Sequence, residues 1–124
     1  MHTEVLTEKA RGLLPRFSIF KNFYLVGDTG LALYLGHRTS VDFDFFSEKP
    51  ISKNLLKIVE KEFQRTNLQV RVNNRDELTF FADGVKVTAF YYPFPLLFPF
   101  VKFGNIKIAS SKERKQMWVL LDGK

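Results

Sequence analysis

Asp42 and Asp44 flank Phe43 in the run Ser40-Val41-Asp42-Phe43-Asp44-Phe45-Phe46. Polar and apolar residues alternate there with period two, which predicts a half-buried strand. Residues i and i+2 of a strand share a face, with Cα atoms roughly 6.5–7 Å apart. Two carboxylates side by side repel unless a cation lies between them. Hard oxygen ligands of this kind suit Mg2+ or Mn2+, ions that bridge phosphate oxygens and activate an attacking hydroxyl. The opposite face, with Val41, Phe43 and Phe45, is apolar and would anchor the strand to the core. Alone, an Asp-x-Asp more often marks an exposed strand with two solvated aspartates, so the chemistry depends on its surroundings.

The preceding segment supplies phosphate-binding features. Gly27-Asp28-Thr29-Gly30 falls where a strand turns into a helix. Glycine lets backbone amides approach a phosphate, and a helix N-terminus presents free N–H groups with partial positive charge. Thr29 adds a hydroxyl donor. The same residues also fit plain turn chemistry, with Asp28 or Thr29 as an N-cap and Gly27 in a tight bend. After the helix-stopping Gly36, the planar fork of Arg38 suits an anion. His37 reads as a structural residue. The only other histidine is His2, and there is no cysteine, so a His- or thiolate-based metal cluster is excluded.

The elements that must position these residues follow from periodicity. A helix is expected near Thr3 to Leu14, limited by Pro15. A buried strand spans Phe23 to Val26, a short helix Thr29 to Leu35, and the aspartate strand Ser40 to Phe46. Ser52 would cap a helix to about Thr66, with Leu55, Leu56, Val59 and Phe63 inward. A strand is expected over Leu68 to Val72. Leu78 to Ala82 and Val85 to Tyr92 flank Asp83-Gly84, a hairpin signal because that turn needs positive φ. A weaker strand, Ile106 to Ala109, and a helix, Ser111 to Leu121, complete the order. The pattern predicts one mixed α/β (α+β) domain, residues 1–124, with helices against a sheet.

Bulk composition agrees. The chain has 124 residues, 45% hydrophobic and 26% charged, enough for one soluble domain. Fourteen phenylalanines imply a bulky core or a core plus an apolar contact surface. The absence of cysteine fits a reducing cytoplasm. The most apolar stretch, Phe90 to Phe103, is cut by Pro93, Pro95 and Pro99 and cannot form a membrane-spanning helix. A net charge of +6 suits a polyanion such as a nucleotide or RNA, or else a solvated surface, since no dense basic block occurs.

Together, Tyr24-Leu25-Val26-Gly27-Asp28-Thr29-Gly30-Leu31-Ala32-Leu33 and Leu35-Gly36-His37-Arg38-Thr39-Ser40-Val41-Asp42-Phe43-Asp44-Phe45-Phe46 resemble the nucleotidyltransferase family of the AbiEii/AbiGii toxins. That family carries a G-G-T-A-L-A-L block leading into L-G-H-R-x-S-x-D-x-D-F-F. Val85 to Pro93 resembles its second hallmark strand, and Ile108-Ala109-Ser110 the entry to a later helix. The resemblance implies a nucleotidyltransferase-like fold, a small mixed sheet flanked by helices. It implies Asp42 and Asp44 as catalytic Mg2+ or Mn2+ ligands, and Gly27, Asp28, Thr29, Arg38 and Ser40 around the NTP substrate. The family reaction attaches a nucleoside monophosphate to a hydroxyl, and some members modify tRNA as toxins paired with antitoxins.

Three departures shape the expectation. Asp28 stands for the second glycine of the hallmark. The strand Val85 to Tyr92 offers Thr88, and no acid, where nucleotidyltransferases carry a third carboxylate, and a hydroxyl is no general base at neutral pH. Trp118 stands where a lysine is common, and the chain ends at Lys124, before the further helices of relatives. Phe94, Leu96, Leu97, Phe98, Phe100 and Phe103 would then fold back onto the sheet or form a contact surface, for a homodimer or another partner. The alternative to an enzyme is a catalytically degenerate module of the same fold that binds nucleotide, RNA or protein.

Overall fold

The structure, a computed structural model, describes residues 7–26, 42–110, 112, 113 and 117. Thr7 opens the first helix, α1 (Glu8–Leu13), its Oγ1 accepting a hydrogen bond from the Ala10 N–H at 3.1 Å. The α-helix ends just before Pro15, as expected, but the chain does not. It tightens into a 3₁₀ helix, Leu14–Phe20, with Pro15 in its first turn, where a missing N–H is harmless. This extra turn buries Phe17 and Phe20.

Among the described residues, seven strands follow: β1 (Tyr24–Val26), β2 (Asp42–Ser47), β3 (Leu68–Asn73), β4 (Glu77–Ala82), β5 (Val85–Tyr91), β6 (Phe100–Phe103) and β7 (Ile106–Ala109). They form one mixed sheet in the order β3-β4-β5-β2-β1-β7-β6. Strand β2 is central, parallel to β5 and antiparallel to β1. The β4–β5 hairpin turns at Asp83 (φ 51°) and Gly84 (φ 81°), as the sequence predicts. Strand β6 was not expected. It pairs antiparallel with β7 around Gly104-Asn105, where Gly104 has φ 58°.

Helix α2 (Leu55–Glu62) is shorter than the expected Ser52 to Thr66. Ser52 lies in a turn ahead of it, its Oγ accepting from the Asn54 N–H, while Asn54 occupies the cap position. Beyond Glu62 the chain turns, and the Thr66 N–H donates to the Phe63 carbonyl. The Arg16 Nη1 donates to the Glu62 carbonyl at 2.7 Å, satisfying a helix-end acceptor and tying α2 to the 3₁₀ helix. The expected helix from Thr29 to Leu35 lies outside the described residues. Of that expected from Ser111 to Leu121, Lys112, Glu113 and Met117 are described and helical.

The two faces of the sheet bury different things. On one, Phe43, Phe45, Phe80, Val87 and Ala89 pack with Phe17, Phe20, Leu55, Val59 and Phe63. Phe17 is the hub, its ring 4.7 Å from Phe43 and 5.1 Å from Phe45. A smaller cluster of Val26, Phe46, Tyr92 and Met117 forms separately. The proline-rich segment between β5 and β6 is strapped beside it. Glu48 Oε1 accepts from the Leu96 N–H, and Glu113 Oε1 accepts from the Leu97 and Phe98 N–H groups. Leu97 remains 56% exposed and Phe94 38%. Leu96 thus folds back onto the smaller cluster, whereas Leu97 and Phe94 face out.

Candidate functional site

Alternation along β2 determines which side chains can act together. Asp42, Asp44 and Phe46 share the face opposite Phe43 and Phe45. Asp42 is exposed and Asp44 half-buried, so solvent reaches both. Phe46, at the far end of that face, is buried in the smaller cluster. The strand is thus anchored on both sides rather than on the Phe43 face alone.

Register fixes their neighbours. Across the sheet, one row on this face runs Phe81, Lys86, Asp42, and the next Thr79, Thr88, Asp44, Val26. A third runs Glu77, Phe90, Phe46, Tyr24, Lys107, with Tyr24 stacked on Phe46 at 5.3 Å. Lys107 Nζ lies 4.6 Å from the Tyr24 ring centroid. The carboxylate and hydroxyl row is therefore bordered by aromatic rings on one side and by Lys86 and Phe81 on the other. The Arg71 guanidinium lies over Phe81 at 5.5 Å and is held by a 2.8 Å hydrogen bond to Gln69 Oε1.

The remaining site residues expected from sequence, Gly27, Asp28, Thr29, Arg38 and Ser40, lie outside the described residues, as does His37. What the topology does fix is the register beside that segment. Val26, the residue before Gly27, is the β1 partner of Asp44.

Thr88 stands next to Asp44 in the parallel β2–β5 pair, where a third carboxylate would be sought. Asp83 cannot serve there. It sits in the hairpin turn, its Oδ1 accepting from the Asn67 N–H at 2.9 Å. Among the described residues, no three His, Cys, Asp or Glu side chains come together to hold a metal. Asp42 and Asp44 nevertheless fit a hard divalent cation, being two anionic oxygen donors on one solvent-reached face.

Sequence reasoning missed Glu77 and Thr79. Strand β4 begins at Glu77, one residue before the expected start at Leu78. The signal was the period-two alternation of Glu77-Leu78-Thr79-Phe80, which puts both polar side chains on the aspartate face. Thr79, buried, donates from Oγ1 to Glu77 Oε2 at 2.5 Å, and its oxygen lies 3.3 Å from Thr88 Oγ1.

No protein-family model matches the chain. Two solved structures are similar to it. One is described as a candidate nucleotidyltransferase from H. pylori, with a TM-score of 0.59 and 20% identity, covering 95% of this chain and 62% of that one. The other is JHP933 from Helicobacter pylori, with a TM-score of 0.59 and 21% identity, covering 96% of this chain and 60% of that one. An uncharacterised protein of Aquifex aeolicus (strain VF5) is 39% identical over 82 residues, 64% of this chain and 38% of that protein. The chain thus spans less than two thirds of each of the three. Its fold is nucleotidyltransferase-like: a mixed α+β arrangement with a seven-stranded mixed sheet and helices against it.

Among the described residues, no helix is long and apolar enough to cross a membrane.

Proposed function

We propose that the chain is a nucleotidyltransferase of the AbiEii/AbiGii toxin kind, moving a nucleoside monophosphate from an NTP to a hydroxyl on tRNA or protein. The observation that carries this reading is the placement of Asp42 and Asp44 together on the solvent-reached face of the central strand. Asp42 and Asp44 hold the cation and orient the triphosphate. Gly27, Asp28, Thr29, Arg38 and Ser40 surround the nucleotide. When bound, Mg2+ or Mn2+ neutralises phosphate charge and lowers the barrier to attack by the acceptor hydroxyl. Asp28 would add a negative charge to that segment, which a cation held by Asp42 and Asp44 would offset. The cytoplasm, an antitoxin partner and a second copy docked through the Phe94–Phe103 segment belong to the same reading. The exposed Phe94, Leu97, Phe100 and Val101 support the last.

A second reading has one observation in its favour, Thr88 in place of an acid beside Asp44. In it, the chain binds nucleotide or RNA without turnover. Incubation with each labelled NTP, Mg2+ and total tRNA separates the two. Transfer abolished by Asp42→Ala supports the enzyme. Transfer that survives the substitution sinks the proposed site. No transfer, with a nucleotide-dependent thermal shift, supports the binding module.

A further inference from the structure

An acceptor hydroxyl needs a group to take its proton, and Thr88 alone cannot keep one at neutral pH. The structure connects Thr88 to a carboxylate. Glu77, Thr79, Thr88 and Asp44 lie on one face, with Thr79 opposite Thr88 in the β4–β5 ladder and Thr88 beside Asp44 in the β2–β5 ladder. A threonine hydroxyl has a single proton. Thr79 directs its proton to Glu77 Oε2 at 2.5 Å, the length of a charge-assisted O–H···O bond. The 3.3 Å contact between the two threonines is therefore closed by the Thr88 proton, with Thr88 donating to Thr79. The lone pairs of Thr88 Oγ1 are then left for a hydroxyl brought against this face beside Asp44.

We propose that Glu77 is the proton acceptor of this site, reached through the hydroxyls of Thr79 and Thr88, and so supplies at one remove what the absent third carboxylate would supply directly. The inference rests on the nucleotidyltransferase reading. As the acceptor oxygen bonds to the α-phosphorus, the bond from that phosphorus to pyrophosphate breaks, and its electron pair leaves with pyrophosphate. The acceptor proton passes to Thr88 Oγ1, the Thr88 proton to Thr79 Oγ1, and the Thr79 proton to Glu77 Oε2. Both threonines end as neutral hydroxyls and Glu77 as a carboxylic acid. Burial of Thr79 keeps the central link away from competing water. Half-exposed Glu77 returns its proton to solvent between turnovers. The 3.3 Å link is the loose one, and catalytic hydrogen bonds of this kind tighten when substrate is bound.

A purely structural Glu77–Thr79 contact would affect stability without singling out the chemical step. The test therefore measures kcat and KM for the labelled NTP in the tRNA assay, alongside Mn2+ affinity by electron paramagnetic resonance and thermal stability. With the full chain, Glu77→Gln lowers kcat by about 10²- to 10⁴-fold, the range for general-base loss, and leaves KM and Mn2+ affinity unchanged. Thr88→Val falls in the same range, while Thr88→Ser and Thr79→Ser, which keep the hydroxyls, retain turnover. Should Glu77→Gln leave kcat unchanged while Asp42→Ala abolishes transfer, the relay is wrong and the proposed function stands. A parallel fall in Mn2+ affinity would place Glu77 at the cation and overturn the relay too. If the unsubstituted protein transfers no label, the proposed function falls and the relay with it.

Discussion

On one side of β2, Phe43 and Phe45 meet the Phe17 ring, and Phe45 also Phe20, inside a buried cluster that includes Phe63 and Phe80; on the other, Asp44 stands in a row with Thr88 and Thr79, and Asp42 in the next row beside Lys86. The same six residues thus serve two environments, because a strand sends successive side chains in opposite directions. The larger share of buried rings lies on the Phe43 face, where each removes apolar area from water, about 1.5–3 kcal/mol for a large side chain. Chemistry is assigned to the other face, where Asp42, Asp44 and Thr88 remain within reach of solvent. The contrast teaches that the two faces can be damaged separately.

The largest effect is expected on the apolar face. Phe17→Ala removes the ring that touches Phe43, Phe45, Phe20 and Phe63, and should cost about 3–5 kcal/mol in a denaturant titration. A loss under about 1 kcal/mol would show that Phe17 is not the hub. Next comes Glu113→Ala, at about 1–3 kcal/mol, because the Leu97 and Phe98 N–H groups lose their acceptor. Hydrogen exchange at those two amides should speed up. Unchanged exchange there would mean that the strap holds the segment in no important way.

A smaller, pH-dependent effect follows from Tyr92. Burial first, and the Glu113 carboxylate second, raise its hydroxyl above the ordinary value of 10.0. The folded chain then holds that proton more tightly than the unfolded chain. This contribution is complete below about pH 10 and disappears as pH rises through the folded-state value. Denaturation midpoints above pH 10 should accordingly fall less steeply in Glu113→Ala than in the unsubstituted chain. The smallest effect on stability is expected for exposed Asp42. Asp42→Ala should shift it by less than about 1 kcal/mol while abolishing label transfer. A large stability loss there would erase the distinction between the two faces.

How much of this was legible beforehand varied with the range of the interaction. The Asp83-Gly84 turn could be read because two adjacent residues must adopt positive φ, a local demand. The aspartate strand could be read from its alternation. By contrast, the 3₁₀ helix after Leu13 was hidden, because Pro15 signals a stop and yet is welcome in a first turn. Strand β6 lay behind three prolines, although Gly104-Asn105 between apolar residues was a hairpin signal that could have revealed it. The partnership of Thr79 with Thr88 depends on ladder register, which alternation in a single strand does not supply. For the residues between Val26 and Asp42, the structure adds no test of the sequence reading.

The mixed direction of the sheet has a consequence for assembly. Strands β3, β4 and β5 form a meander of neighbours in sequence, so their pairing closes only short loops. Asp44 meets Thr88 only after β2 has closed over that whole meander, and β1 meets β7 across a still longer span. Long-range pairings of this kind are the slow ones, since loop closure must precede the contacts that reward it. The hydroxyl pair between β4 and β5 can therefore exist before the aspartates arrive beside it. On this ordering the polar face is completed late in folding, and a chain caught short of that point would carry the meander without the aspartate half of that face.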